Sequence, residues 1–185
     1  PNMLKQAKTK SKGIPNIQWL NEDILQYKSN TSFRLAIMTG FAFQSFLDDN
    51  QIQCLFTQVS RLLEPGGLFI FDTRNPFGYN FAQKEFFEKW DNYTDPANQQ
   101  TIVFGKQRYN REKEVLTYQF KRQREKKPPA FSEMQIKFTS DDRLNAMLMN
   151  AGLSLEARFA DWENTTFQKD APHLVCIAKN KKRRQ

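Results

Sequence analysis

The chain has 185 residues and a mass of 21.8 kDa, the size of one domain; 39% of it is hydrophobic and it holds 17 phenylalanines, enough for a packed core. Its 28 Lys and Arg against 20 Asp and Glu give a net charge of +8, but the excess gathers at Lys5, Lys8, Lys10 and Lys12 and in the final KNKKRR run, so solvated ends are expected and nucleic acid, though a possible partner, is not favoured. No run approaches the roughly 20 apolar residues that cross a bilayer, the single histidine excludes a multi-histidine metal site, and Cys54 and Cys176 read as buried reduced thiols, so no metal and no membrane partner are expected and the cytoplasm is the expected compartment.

Met3, Leu4 and Ala7 fall at helical spacing immediately after Pro1, as if the reading starts inside a helix whose beginning lies upstream. Asn16 to Trp19 predicts a short strand, and Asn21, Glu22 and Asp23 form the polar cluster expected at its end. Phe33 to Met38 is a nearly continuous apolar run, which predicts a central parallel strand covered on both faces and closed by Thr39 and Gly40. With Asp48 or Asp49 as N-cap, Ile52, Leu55, Phe56, Val59, Leu62 and Leu63 share one helical face, and Pro65-Gly66-Gly67 stops the helix. LFIFD predicts a second buried strand that ends at Asp72. Strand, helix and strand with short connections form a βαβ unit. Ligands of such sheets sit beyond the carboxyl ends of the strands, which here are Asp23, Thr39 to Phe41 and Asp72 to Asn75.

Thr101 to Tyr109 and Val115 to Arg122 alternate about a turn at Asn110 to Glu114, and Met134, Ile136 and Phe138 alternate after Pro128-Pro129. An inserted antiparallel meander over residues 93–138 is expected to cover the site. Ser140 caps a last helix with Leu144, Met147, Leu148 and Ala151 inward and Gly152 at its end. Leu153 to Phe159 and Leu174 to Ala178 predict two more strands, followed by a basic tail at 179–185. The whole chain, 1–185, reads as one domain.

Three stretches carry a family likeness. NMLKQAK is similar to a helix that follows a second strand, FRLAIMTGFAFQSF to a fourth strand and its loop, and RLLEPGGLFIFDTRNP to a helix, a proline-glycine-glycine turn and a fifth strand. In this order and spacing they resemble the class I, Rossmann-like S-adenosylmethionine-dependent methyltransferases, specifically the small-molecule branch, over nearly the whole chain. AGLSLEARF and HLVCIAK resemble that family's closing antiparallel hairpin. The implied fold is α/β, a Rossmann-like mostly parallel sheet with a C-terminal antiparallel hairpin and an inserted antiparallel meander, the first strands of the family fold missing.

The resemblance implies S-adenosylmethionine as cofactor. Asp23 matches the acidic position that takes the adenine amine, with Ile24 against the ring. Met38, Thr39, Gly40 and Phe41 match the loop at the sulfonium end. Arg74, Asn75, Tyr79, Trp90, Tyr109 and Trp162 are the candidates to line the acceptor side. No catalytic residue is assigned, because the sulfonium is already activated; His173, Tyr79 and Tyr109 are the candidates if the acceptor must lose a proton. Several departures stand out. The seven glycines form no G-x-G-x-G turn, the second acidic residue that would bind the ribose has no match, and Arg34 stands where relatives carry Asp. These departures imply a truncated chain, inactive without an upstream glycine-rich loop, whose Phe33 to Met38 strand has an unpaired flank. Asn75-Pro76-Phe77 is similar to a motif of amine methyltransferases, but follows the fifth strand instead of the fourth and reads as a strand-exit turn. Methyl transfer to a small-molecule acceptor is the expected function. An RNA or protein methyltransferase and a non-catalytic Rossmann-like binding module stay open beside it.

Overall fold

The computed structural model describes residues 2–94, 98–125 and 127–181. In chain order its elements are α1 (Asn2–Lys10), β1 (Phe33–Met38), α2 (Asp49–Leu62), β2 (Leu63–Arg74), β3 (Lys84–Thr94), β4 (Gln100–Asn110), β5 (Val115–Arg124), β6 (Ala130–Lys137), α3 (Asp141–Asn150), β7 (Leu153–Phe159) and β8 (His173–Asn180). They build two four-stranded sheets, ordered β1-β2-β8-β7 and β3-β4-β5-β6.

In the first sheet β1 runs parallel to β2, with Leu35 opposite Leu68 and Ile37 opposite Ile70, while β8 and β7 add antiparallel. The mostly parallel sheet thus reduces, among the described residues, to one parallel pair, because α2 is the only crossover helix between sheet neighbours. The side chain of Asp48 caps α2 by accepting from the Gln51 amide at 2.9 Å, and Ile52, Leu55, Phe56 and Val59 point into the core. α3 starts behind Ser140, and Gly152, at φ +78°, ends its last turn. Both helices pack on the same core, where Phe43 and Phe69 each lie 4.9 Å from Phe71 and Phe56 lies 5.6 Å from it, between ring centroids. Aromatic pairs of this kind add about 0.5–1.5 kcal/mol each beyond their area burial.

Three expectations are corrected. First, β1 is covered on one face only: Ala36 and Met38 pack on the core, whereas Phe33, Leu35 and Ile37 are 39%, 48% and 57% exposed. Among the described residues β2 is its only strand neighbour, which leaves the expected unpaired flank. Second, Asn16 to Trp19 forms no strand, since no neighbouring strand takes up its backbone groups. α1 likewise buries no residue, and the leading segment attaches through Ile24, Leu25 and a hydrogen bond from the Gln58 amide to the Tyr27 carbonyl. Third, Cys54 is exposed on the outer side of α2. Cys176 is buried, and burial pushes its thiol up to about 12 against the opposing charge of Arg158.

The second sheet starts at Lys84, nine residues ahead of the expected boundary, because β3 pairs with β4 as its outer strand. Leu116, Tyr118, Ile136 and Phe138 are buried on one face with Tyr79, Phe81, Trp90, Tyr109 and Phe120 around them. A Cβ on Gly105 would lie 2.3 Å from the Trp90 ring, so only glycine lets the indole lie on the strand. A buried ammonium ties the two sheets together. Lys137 Nζ donates to the Lys113 carbonyl at 3.1 Å and to Glu114 at 3.3 Å and lies 3.4 Å from Asp49, and Arg143 pairs with both carboxylates. The expected tail begins inside β8, and residues 182–185 lie outside the described residues.

Candidate functional site

The βαβ unit carries its chain reversals at the carboxyl ends of β1 and β2, and these ends meet at Asp72. This carboxylate is 3% exposed and must have donors there. Oδ1 accepts from the Phe41 amide at 2.8 Å; Oδ2 accepts from the Gly40 amide at 3.2 Å and from the Trp162 indole at 3.1 Å. Gly40 and Phe41 adopt positive φ in succession, +70° and +58°, which turns consecutive amides toward one anion. For Phe41 this left-handed conformation costs about 1–2 kcal/mol. The carboxylate offsets that cost by binding both amides.

The Phe41 ring is held from two sides. The Arg74 guanidinium lies 4.1 Å from its centroid, and the His173 ring lies 4.9 Å away. Arg74 and His173 are direct partners across β2 and β8. Arg74 also donates to Gln44 Oε1 at 2.7 Å, and the fully buried Gln44 donates to the Lys137 carbonyl at 3.0 Å. Through this chain of contacts the loop after β1 reaches the second sheet.

On that sheet the Tyr79 and Tyr118 hydroxyls form a short hydrogen bond. Burial, and then the Tyr79 hydroxyl, push the Tyr118 phenol well above the ordinary tyrosine range, while nearby Arg74 opposes the shift. Tyr109 is also raised, first by burial and then by Glu114, against Arg111. Trp90 stands edge-on to Tyr118 and Phe120, both at 5.7 Å.

The structure therefore brings Gly40, Phe41 and Trp162 onto one carboxylate and Arg74 and His173 onto the Phe41 ring, and places Tyr79, Trp90 and Tyr109 in the second sheet's aromatic cluster. Asn75 has a different position. It is 1% exposed, and its amide donates to the Lys169 and Ala171 carbonyls, both at 2.8 Å, while its oxygen accepts from Phe77 at 3.2 Å. It anchors the approach to β8. Asp23 and Ile24 lie in a separate turn, where Asp23 Oδ1 accepts from the Leu25 amide at 2.9 Å and Ile24 is half-buried against the main core. Sequence reasoning marked Asp72 only as the end of a strand beside which a ligand would sit, without a role of its own, and gave Gln44 none. An acidic residue closing a buried apolar strand was the available signal for the first; Gln44, inside an apolar stretch, offered none.

No family model matches the chain, and no curated protein matches it. Solved structures do. The CcbJ methyltransferase from Streptomyces caelestis superposes with a TM-score of 0.84 at 18% identity, over 96% of this chain and 70% of that one. An S-adenosylmethionine-dependent methyltransferase from Clostridium acetobutylicum gives 0.79 at 15% identity, over 96% and 71%. CalS10, an amino pentose methyltransferase from Micromonospora echinaspora, gives 0.73 at 12% identity, over 97% and 70%. The paired β1 and β2 with their helix, the closing hairpin and the inserted meander together give this chain the fold of the class I, Rossmann-like S-adenosylmethionine-dependent methyltransferases.

Proposed function

We propose that the chain serves methyl transfer from S-adenosylmethionine to a small-molecule acceptor, at the carboxyl edge of β1 and β2. The carrying observation is the Thr39 to Phe41 loop, fixed by Asp72 where a sheet of this fold receives its ligand. The residues fit the cofactor. A Cβ on Gly40 would meet nothing within 4 Å, so the loop presents bare backbone to open space. Asp23 keeps its second carboxylate oxygen available for an adenine amine, with Ile24 beside it. Met38, Thr39, Gly40 and Phe41 would hold the sulfonium end.

The bound cofactor supplies a methyl group on a positively charged sulfur, so the task left to the chain is alignment and exclusion of water. Phe41 and Trp162 would shield the reacting region. Arg74, Tyr79, Trp90 and Tyr109 would orient the acceptor, and His173 is the group able to take up a proton that an amine acceptor releases. The amino pentose methyltransferase and the sugar N-methyltransferase KedS8 among the structural neighbours support a small amine-bearing acceptor. Since the chain has no G-x-G-x-G run, we expect weak cofactor retention and little turnover from it alone.

Calorimetric titration of S-adenosylhomocysteine tests this. The chain is expected to bind weakly, Gly40→Val to abolish binding, and Asp23→Ala to weaken it about tenfold, as expected for one lost hydrogen bond to a charged group. Equal binding by Gly40→Val, or no heat from the unaltered chain, would overturn the assignment of this loop.

A further inference from the structure

The second sheet has another face, turned away from the aromatic cluster. Strand register sets its pattern. One row across all four strands reads Lys89, Phe104, Lys121, Phe131, each directly opposite the next. The adjoining row holds Lys106, Gln119 and Glu133. Cations and rings thus alternate across the face. On this face the two central strands present Lys106, Arg108 and Lys121 and no acidic residue. The carboxylates lie on the outer strands: Glu85, Glu88, which pairs with Lys84, and Glu133, which accepts from Gln119 at 2.8 Å.

Part of the face is a groove of about 660 Å³ lined by Lys106, Arg108 and Gln119 with Glu85 and Glu133 at its margins, and Phe87 and Phe131 line a second hollow of about 380 Å³ beside it. Phe87 and Phe131 approach from β3 and β6 to 6.2 Å between ring centroids, bridging across the two strands between them. Phe131 is 65% exposed, while Phe87 and Phe104 are half-buried with Lys106 and Lys121 over their rings at 5.1 and 5.3 Å. The side chain of Arg108 has no hydrogen-bond or ion-pair partner among the described residues. Rings and cations alternating across a solvent-facing sheet match a polymer of alternating bases and phosphates.

We propose that this face binds single-stranded nucleic acid, with phosphates on Lys106, Arg108 and Lys121 and bases stacked on Phe87, Phe104 and Phe131. A duplex keeps its bases stacked inside and offers nothing to the rings. The site lies on the opposite side of the sheet from Tyr118 and Trp90, so it does not depend on the methyl-transfer assignment.

The test is fluorescence anisotropy of labelled oligouridylate and oligothymidylate of about ten nucleotides, the site size of a small sheet platform, titrated with the full chain. Both strands are expected to bind, with affinity that falls as salt rises. The double variant Lys106→Glu, Lys121→Glu should weaken binding at least about 30-fold by removing two phosphate contacts and repelling the strand. Phe131→Ala, at an exposed position that leaves folding intact, should weaken it about fivefold or more through one lost stack. Three results would overturn the proposal. These are no binding by either strand at about 50 mM salt; binding unchanged by both variants but lost on removal of residues 182–185; or light scattering that shows the charge variant splitting a dimer, which would make the face a contact between two copies.

Discussion

Asp72 accepts three hydrogen bonds on one buried carboxylate. Its carboxylate joins the loop after β1 to Trp162, and with alanine there the Gly40 and Phe41 amides and the Trp162 indole would all lose their acceptor. Asp72→Ala is expected to cost about 3 kcal/mol in urea unfolding and to abolish S-adenosylhomocysteine binding. Trp162→Phe removes one of three donors and should cost about 1 kcal/mol. A second residue-scale prediction concerns pH. Burial and the Tyr79 hydroxyl raise the Tyr118 phenol in the folded chain, so the folded state favours the proton more than the unfolded state does. That stability is complete below the ordinary value of 10.0 and is lost as pH climbs above it. Absorbance titration should show one tyrosine ionising well after the rest. Tyr79→Phe should bring it part of the way back, because burial, the larger cause, remains.

At the scale of elements, the meander is held in shape by one missing side chain. Trp90 occupies the space where Gly105 has no Cβ, and Gly105→Ala would push the indole off Tyr118 and Phe120. We expect a loss of about 1–3 kcal/mol, with a red shift in tryptophan emission as the ring gains water. The sequence displayed the alternation of β4 and β5 clearly, and their boundaries follow it. β3 was less legible. Lys84 to Thr94 reads KEFFEKWDNYT, and its register with β4 slips twice, so no clean alternation marks it. The apolar face of α2 was legible because it is a local pattern, but the cap stayed open between Asp48 and Asp49, and the helix ends at Leu62 with Leu63 and Pro65 to Gly67 already inside β2.

At the scale of the whole molecule, β1 ends the first sheet with an apolar face and, among the described residues, an unpaired edge. Ile37 is 57% exposed and Leu35 48%, on a strand whose composition suits burial. Ile37→Lys is expected to leave the melting temperature within about 2 °C while reducing concentration-dependent light scattering, because a lysine on an edge strand discourages pairing with another chain. Unchanged scattering would show that association, where it occurs, uses another surface. The sequence by itself determined the βαβ unit, the closing hairpin and the meander, because each is written in periods of 2 or 3.6 residues and in caps and turns that act over a few positions. It also offered Trp162 as a candidate for the acceptor side without saying what would hold it there. Only the tertiary structure decided that Asp72 receives Gly40, Phe41 and Trp162, that Gln44 links Arg74 to Lys137, and that Lys89, Phe104, Lys121 and Phe131 share one row. Those pairings join positions up to 93 residues apart through strand register and buried hydrogen bonds, and no local pattern encodes which distant partners will meet.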